Sequence, residues 1–126
     1  MTLSIKVRDF AGNDLLDEVL PYQPLVAWEL RDEYPMLAHI DRYGSTAFNG
    51  AQAFTLIEEL DRILVLIADI GVEGTILRLG MDDIGSVSRI EGFDLMTDVP
   101  GLVEKVRAAC TVTVAKPHRK IWFFGD

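Results

Sequence analysis

Arg119-Lys120-Ile121-Trp122-Phe123-Phe124 places apolar side chains on both faces of an extended chain. Aromatic and β-branched residues favour strands. A strand with two apolar faces is normally buried on both sides or paired centrally. The segment follows Pro117 and ends at Gly125-Asp126. Its natural partner lies at the other end of the sequence, where Leu3-Ser4-Ile5-Lys6-Val7-Arg8 alternates apolar and polar residues with the period of a half-buried strand. The two are expected to share one sheet. If the last strand instead lay at a sheet edge, its unpaired backbone would offer a pairing surface to a second chain.

Between them the pattern changes to helical spacing. Asn49 is placed to cap a helix over 50–68, and Gln52 stands where a capping-box side chain reaches back. Leu56, Leu60, Ile63, Leu64 and Ile67 form its apolar stripe, and Gly71 is a plausible stop. A second helix is expected over 99–109, with Lys105 and Arg107 near its negative end. Gly12-Asn13-Asp14 reads as a turn and Leu25 to Glu33 as a short helix halted by Pro35, with Met36 to Ile40 briefly extended. Thr75 to Leu79 and Ser86 to Ile90 are expected to be short strands or parts of an ordered loop. The expected fold class is α+β: a small single-domain sheet, including both terminal strands, with two main helices on one face.

Hydrophobic residues make up 49% of the 126, enough for a core without disulfide or metal staples. The one cysteine, Cys110, cannot form an internal disulfide. The first ten residues lack the pattern of a signal peptide, and the longest apolar run, Ile63 to Ala68, is too short for a bilayer. These features point to a reducing cytoplasm and away from the membrane. The net charge of -8 is uneven: residues 1–104 balance to -12 and residues 105–126 to +4. An acidic body repels nucleic acid and anionic lipid, and suits a basic protein partner.

The densest polar segment is Asp41-Arg42-Tyr43-Gly44-Ser45-Thr46-Ala47-Phe48-Asn49. Asp41 can form an Asx turn, Gly44 can take a positive φ, Thr46 can satisfy local backbone, and Phe48 can act as a hydrophobic staple before the Asn49 cap. With Asp41, Tyr43, Gly44, Thr46, Phe48 and Asn49, and with Phe123, Gly125 and Asp126 at the end, the sequence resembles a group of small uncharacterised bacterial proteins. That group carries a D-x-Y-G-x-T-x-F-N segment before a long helix and ends on a strand closing F-x-G-D. The resemblance covers about half the chain in register. It implies a shared fold unit and no particular activity.

Candidate chemistry is sparse. His39, Asp41, Tyr43 and Thr46 could line a polar pocket, the basis of an enzyme reading. The two histidines, His39 and His118, lack any recognised metal-ligand spacing, so neither metal nor cofactor is expected. Cys110 closes an apolar helical stripe, at the helix end that disfavours a thiolate, and reads as core. Gly80 to Ser86 has phosphate-loop spacing but no lysine, and reads as an exposed acidic turn. The leading functional expectation is a protein-binding module, in its sharpest form an immunity-type inhibitor of a basic toxin or enzyme. Its expected contact surface is Glu58, Glu59 and Asp61 on the long helix with Asp82 and Asp83 in the following loop. The alternatives are the small enzyme and a structural or regulatory subunit that assembles, with copies of itself or others, through the C-terminal strand.

Overall fold

The computed structural model describes residues 3–20, 32–41, 43–79 and 95–125. Strand β1 (Leu3–Arg8) has the alternating burial its sequence predicts. It turns through Asp9–Asn13 into β2 (Asp14–Leu20). The turn closes on the Asp9 carboxylate, which accepts hydrogen bonds from the Asn13 backbone N–H at 2.9 Å and from its side-chain amide at 3.3 Å. Gly12 supplies the left-handed φ of 85° that the turn requires. Val7 faces Leu16 but Arg8 faces Asp14, so Leu15 is an extra residue, a bulge on the outer strand.

Strands β3 (Ser45–Phe48) and β4 (Lys120–Gly125) complete an antiparallel sheet of order β2-β1-β4-β3. The N- and C-terminal strands therefore pair, and β4 is central. Ile121 and Phe123 face Val7 and Ile5 on one side and Phe48 and Thr46 on the other. Both are fully buried, and Phe123 meets Phe48 edge to face at 5.8 Å. The edge available to a second chain is thus not β4, whose two sides are both occupied by ladders. The condition under which the C-terminal strand would offer a pairing edge is therefore not met.

The opposite face of β4 is handled differently. Trp122 and Phe124 stack with rings 5.8 Å apart and nearly parallel, and the Arg8 guanidinium lies 5.7 Å from each ring centre. Arg8 also donates from Nε to Asp14 at 2.8 Å, and Lys6 lies within 3.7 Å of Asp14 and Asp17. A cation with its own carboxylate partner covers the aromatic pair, so this face remains polar at its boundary.

The helices pack on the Ile5–Phe123 face. Helix α1 (Pro35–His39) stands where an extended segment was expected. Pro35 stands in its first turn, where a residue needs no N–H partner. The expected helix over 25–33 lies mostly outside the described residues, and Asp32 and Glu33 are in a turn.

Helix α2 (Gly50–Leu79) starts with the expected capping box. Asn49 Oδ1 accepts the Gln52 N–H at 2.9 Å, and Gln52 Oε1 accepts the Asn49 N–H at 3.0 Å. Asn49→Ala should lower stability by about 1 kcal/mol; urea unfolding that leaves the midpoint unchanged would contradict this. Gly71 takes a left-handed φ of 80°, as a stop requires, but helix resumes at once through Leu79. Val72, Thr75, Ile76 and Leu79 are buried, so tertiary packing restarts what the glycine interrupts. The Thr75 to Leu79 strand is therefore corrected to helix, and Ser86 to Ile90 lies outside the described residues.

Helix α3 (Leu95–Val114) outruns the expected 99–109 at both ends. The Thr111 and Thr113 hydroxyls donate to carbonyls one turn back at 3.0 and 2.9 Å. Arg119 donates to the Val112 carbonyl at 2.7 Å, occupying an otherwise unpaired acceptor at the helix end. Lys105 and Arg107 thus sit mid-helix, where they pair with Glu18 at 3.9 Å and Asp61 at 2.6 Å instead of serving the terminus. Cys110 is fully buried, and burial pushes its thiol up to about 12, which makes it a core side chain at neutral pH.

Candidate functional site

The polar segment before α2 is built as a brace. Asp41 Oδ1 accepts the Tyr43 N–H at 2.9 Å, and the Asp41 N–H donates to Thr46 Oγ1 at 2.9 Å. Both side-chain oxygens thereby serve local backbone, and Thr46 is only 8% exposed. Gly44 does not take the expected positive φ. Its lack of a side chain is needed for space: a Cβ there would come within 2.6 Å of the Asp41 carboxylate. The Gly44 carbonyl accepts the Gly125 N–H at 2.8 Å, tying the loop to the end of β4. His39 is exposed with its ring 6.1 Å from Phe48, and Tyr43 is exposed on the loop. Among the described residues, no three His, Cys, Asp or Glu side chains gather where a metal ion could be held.

The expected acidic surface divides into unlike parts. Glu58 is exposed on α2. Glu59 is not a surface group: it is 1% exposed, and its two carboxylate oxygens accept the N–H groups of Met36 and Leu37 at 3.0 and 3.1 Å. It caps the first turn of α1 from another helix, a task invisible from spacing along α2 alone. Desolvation raises its pKa above the ordinary glutamate value, against the opposing effects of the two N–H groups and of Arg62. Asp61 is half-exposed and is held by two hydrogen bonds from Arg107, which link α2 to α3. Asp82 and Asp83 lie outside the described residues.

What remains on the solvent side of α2 is a stripe that the sequence reading did not pick out. Phe54, Glu58, Asp61 and Val65 follow at i, i+4, i+7 and i+11, opposite the buried Leu56, Leu60 and Ile63. Phe54 is 58% exposed and Val65 61%. Two large apolar groups flanking carboxylates on a helix exterior resemble the anchor pattern that partner grooves engage. The signal was present in the sequence: both residues fall off the core stripe at helical spacing.

Among the described residues, no helix is long and apolar enough to cross a membrane. Compared with protein-family models, curated proteins and solved structures, the chain shows no significant match to any of them.

Proposed function

We propose that this domain is a protein-binding module that presents the outer stripe of α2 to a basic partner, in the manner of an immunity-type inhibitor. The observation that carries the reading is the solvent exposure of Phe54 and Val65 at helical spacing with Glu58 and Asp61 between them. The apolar pair supplies anchors, which lose their water on binding. Glu58 supplies attraction at long range, Asp61 being already paired with Arg107, and raises the encounter rate with a cationic surface. The net charge of -8 adds to that attraction.

The test places a photo-crosslinking amino acid at position 54 or 65, with Thr111 on α3 as a control position, in the native cell. A partner with a basic surface should be captured from 54 and 65 and not from 111. With that partner in hand, association should slow as salt rises, because screening shortens the reach of the carboxylates, while dissociation changes less. Glu58→Lys together with Asp69→Lys, an exposed aspartate one turn beyond Val65 on α2, should slow association at low salt by about tenfold without altering the fold. Capture of a second copy of this chain would favour an assembly subunit instead. An on-rate indifferent to both salt and charge reversal would reduce the acidity to a solubility feature.

A further inference from the structure

Lys116, Arg119 and Lys120 gather at one pole of this acidic protein. The β1–β2 turn and the loop from α3 into β4 meet there, around two adjoining grooves of about 430 and 410 Å³. Each is within the size range of small-molecule sites. They share Asp9, Phe10 and His118 as common walls. Phe10 is 88% exposed and meets the His118 ring edge to face at 5.8 Å, so its remaining ring surface faces solvent. His118 holds that position with a left-handed φ of 63°, an unfavourable backbone state for a residue other than glycine. Trp122 lines the second groove beneath Arg8.

The charges at this pole are unevenly engaged. Asp9 is the carboxylate in both linings, and Asn13 occupies its oxygens. Arg8 is paired with Asp14 and Arg119 with the end of α3. Lys116 in the first groove and Lys120 in the second have no ion-pair partner among the described residues. Two unpaired ammonium groups on either side of an exposed aromatic wall suit a flat ring that carries an anion. Lysine binds phosphate as a mobile point charge, and a ring of any base can stack on an aromatic face.

We propose that this pole binds a small ligand of the nucleoside monophosphate class, with its ring against Phe10 and His118 and its phosphate on the lysine of the groove it enters, Lys116 in the first or Lys120 in the second. The site shares no residue with the α2 stripe, and its failure would leave the protein-binding reading untouched.

The experiment titrates the isotope-labelled full chain with AMP, adenosine, inorganic phosphate and a short single-stranded oligonucleotide, and follows backbone amide signals. AMP should shift signals from residues 8–12 and 116–122 and bind at least about tenfold tighter than adenosine or phosphate alone, since ring and phosphate act together. Phe10→Ala and the double variant Lys116→Ala with Lys120→Ala should each weaken AMP binding by about fivefold or more, with unchanged thermal unfolding because these side chains lie at the surface. Phe54→Ala should leave it unchanged. Inorganic phosphate binding as tightly as AMP would reduce the pole to a non-specific anion patch and overturn the proposal. So would the absence of any AMP-induced shift, or an oligonucleotide binding far more tightly than AMP, which would mark a strand-binding surface instead.

Discussion

Removing residues 119–126 is expected to leave insoluble or molten protein. The deletion takes away β4, and with it the partner of β1 on one side and of β3 on the other. It also removes Ile121 and Phe123 from the centre of the core and the Arg119 bond at the end of α3. A graded form of the same test is Phe123→Ala. Emptying a fully buried phenylalanine site costs about 3–5 kcal/mol, which is much of the 5–15 kcal/mol that holds a typical domain together. Near-ultraviolet circular dichroism and urea unfolding report both changes. A truncated chain that still unfolds cooperatively would show that the remaining strands and helices make a sufficient core without β4.

The second large effect is expected at Glu59. Glu59→Ala should cost about 3 kcal/mol, because the Met36 and Leu37 N–H groups lose their acceptor in a place largely closed to water. Glu59→Gln keeps one acceptor oxygen and removes the charge, so it isolates the electrostatic part. Since burial raises the folded-state pKa of Glu59 above its unfolded value, the folded protein holds the extra proton in the interval between the two. Stability due to this group is therefore fully present below the unfolded value, about 4.5, and is lost as pH rises through the folded one. The advantage of wild type over Glu59→Gln should widen as pH is lowered from neutrality towards that value. Asp9 and Asp14, whose pKa values are lowered by the Asn13 and Arg8 hydrogen bonds, act in the opposite direction, but they are common to both proteins and cancel in the comparison. A difference between the two proteins that shrinks or stays flat with acidification would show that the hydrogen bonds to Glu59 outweigh its desolvation.

Where the sequence carried its information locally, it was legible. The alternation in Leu3–Arg8, the two apolar faces of the last strand, and the Asn49–Gln52 pair each specify structure through neighbours in the chain, and each is found as read. The misreadings share one physical cause, which is a distant partner overriding a local preference. Met36 to Ile40 read as extended because nothing nearby showed an acceptor for its first N–H groups; Glu59 supplies one from α2. The helix expected to end at Ala109 runs on to Val114: the Thr111 and Thr113 hydroxyls turn back onto it and Arg119 closes it from beyond. Gly71 did break the helix, but Ile76 and Leu79 had core to reach on the far side. The candidate sites follow the same rule. Glu58 and Glu59 are adjacent in sequence and opposite in fate, one in solvent and one sealed inside. Phe10 and His118 are far apart in sequence, and only the sheet brings their rings together.

The central place of β4 also sets an order of events during synthesis. Its ladder with β1 joins Leu3 to Gly125, contacts of very large sequence separation, whereas the β1–β2 hairpin closes across a short turn. Loop-closure entropy makes such distant pairing the slow step of a fold. On the ribosome, β1 and β3 emerge well before residues 120–125; β1, paired with β2, waits with one side of its backbone unsatisfied, and β3 with both. That waiting edge is a template for wrong pairing with neighbouring chains. Lys6 and Arg8 on β1, paired with Asp14 and Asp17 across the hairpin, keep charged side chains beside that edge, a deterrent to like strands meeting side by side. The nascent domain is therefore most vulnerable just before residues 120–125 emerge, and their pairing then covers the inner edges of β1 and β3.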